Sequence, residues 1–311
     1  MIGIDVGGAN LKIVDEKGVS IHYCPLYEGA PLKELLALHR EHGDDGAYVV
    51  MSGELADCFR SKQEGISFIV DAVKEVFPSA VFYGTDGKFH DGAVPELAAA
   101  NWLASADYLR IPYPDAIFVD FGSTTTDIVP LTGFNSLLGL TDLKRLQKGY
   151  LIYTGMLRTS IPTLLRSVSL AGTDTPLSTE FFSQSADAHL VLGHIPESLY
   201  TCDTPDKGPK DPVSSLRRLA RTVCADLEEI GETGAMEIAQ AFWEVQRNMI
   251  IEGIRLAREK TGTGRVLTAG IGASLIASPA GGDDLLHACG PVADALPAFA
   301  VREVAKRTSG L

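Results

Sequence analysis

The chain has 311 residues, 45% of them hydrophobic and 22% charged, and a formal net charge of −13. That length suits two packed lobes better than one core, and the acidity excludes a general nucleic-acid role, because phosphate backbones need a basic surface. Cys24, Cys58, Cys202, Cys224 and Cys289 are scattered, with no CxxC pair, which argues for reduced thiols and against a disulfide framework or a zinc site.

Residues 2–7, 10–15 and 18–24 read as three strands joined by tight turns at Gly7-Gly8 and Glu16-Lys17-Gly18. A helix is expected over 31–42, with Pro31 at its first position. "GAYVVMSG" follows as a buried strand. A helical stripe of Ile66, Ile69, Val70, Val73 and Val76 marks residues 62–77, "SAVFYGTDG" is strand and turn, and 92–106 reads as a small-residue helix. No basic-then-apolar leader precedes the first strand and no apolar stretch is long enough to span a membrane, so the expectation is a soluble, cytoplasmic protein.

The pattern then restarts. "PDAIFVDFGSTTTDIVPL" is strand, glycine turn, strand, and Asp120-x-Gly122 repeats the place of Asp5-x-Gly7. This is an internal duplication of one supersecondary unit. Residues 148–154 fit a third strand of the second unit. Residues 172–213, rich in Thr, Ser, Asp, Pro and Gly, read as an insertion with little regular structure beyond a short helix at 185–192. The cluster "RRLAR" (Arg217 to Arg221) is expected on a solvated helix face. In the helix that follows, Ile238, Phe242, Val245, Met249 and Leu256 form the stripe expected in the core. "GRVLTAGIGASLIAS" is strand, glycine turn and helix, and 297–307 a last short helix.

Three glycine turns carry the candidate chemistry: Gly7-Gly8-Ala9-Asn10, Gly122-Ser123-Thr124-Thr125 and Gly270-Ile271-Gly272-Ala273. Any one alone is explained as a tight turn. Each, however, ends a strongly apolar strand, and two have an acid at the strand end. Glycine lets backbone N–H groups surround an anion, the hydroxyls of Ser123, Thr124 and Thr125 add donors, and Lys12 adds positive charge. Asp5 and Asp120 repel phosphate but suit Mg²⁺, which bridges phosphate oxygens. Paired hairpins with facing acids therefore suggest a metal–polyphosphate site between two lobes. The sequence has no GxxxxGK[ST], no GxGxxG after the first strand and no GxSxG. It also lacks HExxH, and His189 and His194 sit five residues apart, off the same-face helical spacing.

The three turns resemble the first phosphate, second phosphate and adenosine motifs of the superfamily of acetate and sugar kinases, heat-shock ATPases and actin. The resemblance implies an α/β fold of two duplicated ribonuclease-H-like lobes with a cleft between them: residues 1–110, and residues 111–311 with the insertion and the adenosine-like motif. Ala9 stands where nucleotide-using members usually carry a hydroxyl residue, and the third motif lacks a Gly-Gly pair. Both departures weaken the case for ATP and leave phosphate binding intact.

"IGIDVGGANLK", "MSGELADCF", "NWLASA", "FVDFGSTTTDI" and "YLIYTGMLRT" further resemble the hydantoinase/oxoprolinase-like proteins of tetrahydromethanopterin-linked C1 metabolism. This resemblance implies a transferase of methanofuran biosynthesis that joins an aminomethylfuranyl-methyl diphosphate to the phenol of γ-glutamyltyramine and releases diphosphate. Mg²⁺ at Asp5 and Asp120, Lys12 and both glycine turns would then stabilise the leaving group. A phenol pKa of about 10 asks for a base, with Asp127, Glu54 and Asp86 as candidates, each equally readable as a turn or capping carboxylate. Tyr153 and Arg158 would contact substrate, although Tyr153 also reads as a half-buried strand residue. An ATP-dependent small-molecule kinase on the same fold is the alternative, and a nucleotide switch of the actin kind the third reading. The partners expected are small molecules, with no nucleic acid and no membrane; a homo-oligomer is compatible with the sequence.

Overall fold

The computed structural model describes residues 1–40, 46–285 and 290–309. Its strands are β1 (Ile2–Val6), β2 (Asn10–Val14), β3 (Val19–Tyr23), β4 (Ala47–Met51), β5 (Val81–Tyr83), β6 (Phe89–His90), β7 (Ala116–Phe121), β8 (Thr126–Pro130), β9 (Leu151–Ile152), β10 (Ser167–Leu170), β11 (Thr173–Pro176), β12 (Arg265–Ala269) and β13 (Asp283–Asp284). The α-helices are α1 (Leu32–Ala37), α2 (Lys62–Val76), α3 (Asn101–Leu109), α4 (Asp142–Lys148), α5 (Ile161–Leu164), α6 (Ser185–Val191), α7 (Pro212–Arg221), α8 (Leu227–Thr261), α9 (Ala273–Ala277) and α10 (Leu296–Ser309).

One sheet runs β3-β2-β1-β4-β5-β6 and the other β13-β12-β7-β8-β9. In each, a first strand pairs antiparallel with the second, the second with the third, and the first lies parallel to a fourth that lies parallel to a fifth. The duplication legible in the two hairpins thus extends to five strands of each sheet, with β6 added to the first, and the fold is the expected pair of ribonuclease-H-like lobes. A third, two-stranded sheet joins β10 and β11.

Strand alternation decides where the chemistry faces. Ile2, Ile4 and Val6 pack in one core with α1 and α2, which leaves Gly3 and Asp5 on the opposite face. A side chain at Gly3 would strike the Ala298 carbonyl of α10, so glycine there lets α10 lie directly on β1. In the second sheet Ile117, Val119 and Phe121 pack towards α8. Phe118 joins a different core with Trp102 and Leu103 of α3 and Val301 and Val304 of α10, and Asp120 shares the face of Phe118. The core around α3 and α10 takes residues from both sheets, including Val50 and Tyr83 from the first and Val129 and Leu267 from the second. Each fully buried Val or Leu in it contributes roughly 1.5–3 kcal/mol. Beyond the sequence-based division at residue 110, the chain returns to the first sheet through α10, which packs on α3, β1 and β4.

Several elements differ from expectation. The helix expected over 31–42 is the six-residue α1, with Glu41 and His42 outside the described residues, and that expected over 92–106 is a 3-10 turn at Pro95–Leu97 followed by α3. The third strand of the second unit shrinks to Leu151–Ile152. Along α8 the buried row is Ile238, Phe242, Gln246, Ile250 and Ile254, while Met249 and Leu256 are exposed. The apolar count went astray at Gln246, whose amide is buried because polar partners meet it there.

The segment 172–213 is also more ordered than its composition suggests. Asp187 of α6 accepts hydrogen bonds from Ser183 Oγ, Tyr200 Oη, Ser215 Oγ and Arg218 Nε, all at 2.8–3.0 Å. Arg218 is therefore fully buried, and of the cluster expected in water only Arg217 and Arg221 are. Cys24, Cys58, Cys202 and Cys224 are free thiols, Cys289 lies outside the described residues, and no described helix is long and apolar enough to cross a membrane.

Candidate active site

Both hairpins close in the same way: Gly7 N–H donates to the Asn10 carbonyl at 2.9 Å, and Gly122 N–H to the Thr125 carbonyl at 3.0 Å. Across the first hairpin Asp5 pairs with Lys12, and across the second Asp120 pairs with Asp127. Directly paired residues project on one face, so Lys12 stands beside Asp5. The equivalent position opposite Asp120 is an acid, and its charge is met elsewhere: Asp127 is ion-paired with Arg145. Arg145 also reaches Asp142 at 2.9 Å and lies 4.3 Å over the Trp102 ring.

One cavity of about 400 Å³ receives both hairpins. Asp5, Gly7, Gly8, Ala9, Asn10, Lys12 and Glu54 line it from the first lobe, and Asp120, Gly122, Ser123, Thr124, Thr125, Asp127, Tyr153 and Arg158 from the second. Among the described residues, the main-chain N–H groups of Gly8, Ala9, Ser123 and Thr124 donate to no protein acceptor. Unpaired amides at paired glycine turns form an anion cradle.

Asp5 is 4% exposed, and its Oδ1 has no hydrogen-bond partner. Burial pushes its pKa up to about 6, with Lys12 opposing and Asp120 adding to the rise. Asp120 also rises to about 6, through burial first, with Lys12 opposing and Asp127 and Asp294 adding. An orphaned buried carboxylate oxygen beside a second costly carboxylate fits a hard divalent cation that takes oxygen ligands and keeps several waters. The described residues contain no cluster of three or more metal-ligating side chains, so such an ion would take its other oxygens from water and a bound phosphate.

The three candidate bases separate. Asp86 lies outside the cavity lining, hydrogen-bonded to His90 Nε2 at 3.1 Å. Asp127 is engaged by Arg145. Glu54 lines the cavity, is 1% exposed and leaves Oε2 unpartnered. Burial holds its carboxyl above the usual range, against the pull of nearby main-chain N–H groups and Lys62.

Gly270 and Gly272 do not line the cavity. A side chain at Gly270, whose φ is +85°, would strike the Asp120 carboxylate, and one at Gly272 the Phe121 ring. The third turn thus makes room for the second hairpin. Tyr153 is 70% exposed at the cavity wall, so it is a rim residue and not a half-buried strand residue.

Sequence reasoning missed what braces the second turn. Gly155 presses on Ser123 and Thr124, where a Cβ would come within 2.5 Å of Thr124. Gln246 Nε2 donates to the Thr154 hydroxyl at 2.8 Å and the Gly155 carbonyl at 2.9 Å, so its Oε1 accepts from His189 Nε2 at 2.9 Å. His189 Nδ1 is then left to accept from His194 Nδ1, also at 2.9 Å. The turn at Gly193, φ +71°, brings together two histidines that their spacing separates.

Burial lowers the His189 pKa to about 3, with His194 contributing. An unfolded histidine takes its proton near 6.5. Between pH 6.5 and 3 the unfolded chain therefore binds one more proton at this position, and stability falls as pH drops through that window. Wild type is expected to lose up to about 1.4 kcal/mol per pH unit relative to His189→Gln, read from urea denaturation between pH 4 and 6. Equal slopes in the two proteins would refute a neutral buried His189.

A family model described as hydantoinase/oxoprolinase matches residues 45–285. A curated protein of Methanocaldococcus jannaschii, named (4-{4-[2-(gamma-L-glutamylamino)ethyl]phenoxymethyl}furan-2-yl)methanamine synthase, is 36% identical over 289 residues, covering 89% of this chain and 87% of that protein. A protein of the same name from Methanococcus vannielii is 36% identical over 162 residues, covering 52% of this chain and 73% of that protein. Among solved structures, nucleotide-free acetone carboxylase superposes with a TM-score of 0.47 at 12% identity, covering 94% of this chain and 51% of that one, so this chain spans about half its length. A ROK family glucokinase from Streptomyces griseus superposes at 0.45 and 13% identity, covering 96% of this chain and 97% of that one. With a family match running through most of the chain, and a curated relative aligned nearly end to end, the chain belongs to the hydantoinase/oxoprolinase family.

Proposed function

We propose that this chain is an ether-forming transferase of methanofuran biosynthesis, joining an aminomethylfuranyl-methyl diphosphate to the phenol of γ-glutamyltyramine with release of diphosphate. The observation that carries this reading is the convergence of two glycine turns with unpaired amides, two acids and Lys12 on one cavity. The names of the methanogen relatives support it.

In this reading the phenol oxygen forms a bond to the furanylmethyl carbon while the carbon–oxygen bond to diphosphate breaks. The turn amides and Lys12 hold the departing oxygens, where negative charge grows, and such preorganised donors are generally the largest catalytic contribution. Asp5 and Asp120 would hold Mg²⁺, which supplies further charge neutralisation at the diphosphate. Glu54, whose Oε2 has no partner and which lines the cavity, takes the phenolic proton. A kinase reading finds less support, because Gly270 and Gly272 are occupied with packing the second hairpin. The reading carries a cytoplasmic setting with it, in keeping with the free thiols.

The test is diphosphate release from the furan substrate, expected only when γ-glutamyltyramine and Mg²⁺ are both present. Release without the phenolic amine, or stabilisation by Mg–ATP with none by Mg–diphosphate, would sink the reading. A variant sharpens it. A Cβ at Gly8 would meet no atom within 4 Å, so Gly8→Ala is expected to keep its melting temperature while filling the cradle. Diphosphate affinity should fall by about tenfold or more as the methyl holds the anion off the turn amides, the scale of one charge-assisted hydrogen bond. Unchanged affinity in calorimetric titration would remove the first turn from the anion site.

A further inference from the structure

We propose that Arg158 and Tyr27 form a clamp across the cleft that grips the diphosphate leaving group, with Arg158 supplying the hydrogen bonds and Tyr27 holding its guanidinium in place. This rests on the reading that diphosphate occupies the cradle between the two glycine turns.

The two residues come from opposite lobes and meet over the cavity. The Arg158 guanidinium carbon lies 4.9 Å from the centroid of the Tyr27 ring, and both side chains line the cavity that holds the two turns. Their backbones are tied to those turns. Arg158 N–H donates to the Ser123 carbonyl at 3.2 Å, beside Leu157 N–H on the same oxygen at 2.9 Å. Tyr27 sits in a 3-10 turn at Leu26–Glu28, and Leu26 N–H donates to the Gly8 carbonyl at 3.0 Å. Each member of the pair is therefore fixed next to the turn whose amides are free.

The chemistry of the contact favours an anion. A guanidinium stacked on an aromatic face is held through its π surface, and its N–H groups, which lie in the plane, stay available. Among the described residues, the Arg158 side chain forms no ion pair with a carboxylate. Arg145 and Arg218, by contrast, spend their donors on carboxylates. Arg158 is exposed within the cavity, ordered by a ring and left with donors that match phosphate geometry. A lysine there would lack both the stacking plane and the paired donors.

The test is calorimetric titration of Mg²⁺ and inorganic diphosphate into wild type, Arg158→Ala, Arg158→Lys, Tyr27→Phe and Tyr27→Leu. Arg158→Ala should weaken diphosphate binding by at least about tenfold, with Arg158→Lys recovering only part. Tyr27→Phe keeps the ring face and should bind within about twofold of wild type, whereas Tyr27→Leu loses the face and should bind about three- to tenfold more weakly. Wild-type affinity in Arg158→Ala would overturn the clamp and leave the diphosphate site standing. Equal losses in Tyr27→Phe and Tyr27→Leu would overturn the stacking role. If wild type binds no diphosphate, the functional reading falls first and the clamp with it.

Discussion

Asp120→Asn is expected to leave the fold intact and to lower Mg²⁺-dependent turnover by about three orders of magnitude, the scale of several kcal/mol of charge stabilisation. The side chain keeps its shape, so the pairing with Asp127 across the hairpin and the space left by Gly270 are undisturbed. What changes is charge. Burial already holds the Asp120 carboxyl up at about 6, so at pH 8 the ionised form is costly in the ligand-free protein. The amide removes that cost, and the melting temperature of the ligand-free variant should hold or rise. A variant more stable and yet inactive is the signature of a carboxylate kept for chemistry. Steady-state turnover against Mg²⁺ concentration, with a melting curve beside it, makes the check. Undiminished turnover would remove Asp120 from the metal site.

The parts of this site legible in the sequence are those that repeat. Asp5-x-Gly7 and Asp120-x-Gly122 announce themselves because a strand has period two and a hairpin turn needs its glycine at a fixed offset. Once the duplication is seen, the register between the two hairpins follows, and with it the cavity. What the sequence withholds is whatever depends on partners distant along the chain. Gln246 meets Thr154 and Gly155 across about ninety positions, and no local pattern marks it as more than a gap in an apolar stripe. Tyr27 and Arg158 belong to different lobes, so their contact exists only after the lobes pack. Gly3 and Gly270 look like ordinary strand and turn glycines, yet each is required because another backbone or an acid occupies the place of its Cβ.

Arg218→Met is expected to destabilise the protein by about 3–5 kcal/mol, the cost of leaving a buried charge without its partner. Periodicity and charge placed Arg218 in water with its neighbours, whereas Arg218 and Asp187 are both fully buried and bonded at 2.8 Å. Asp187 also gathers Ser183, Tyr200 and Ser215, so its carboxylate ties the inserted segment to α7. The double variant Asp187→Leu with Arg218→Met should recover only part of the loss, because Asp187→Leu removes the carboxylate that accepts from those three hydroxyls. The effect should also reach the cavity. Ser185 N–H donates to the Thr159 carbonyl at 2.7 Å, and Thr159 N–H to the Ser185 hydroxyl at 3.0 Å, which fixes the start of α6 to the residue after Arg158. Loosening α6 is therefore expected to raise KM for the diphosphate substrate well before the chain unfolds. Chemical denaturation together with KM measured at 25 °C tests both consequences. A variant with wild-type stability would show that Asp187 is neutral and that its hydroxyl partners suffice. A destabilised variant with unchanged KM would confine the insertion to a structural role.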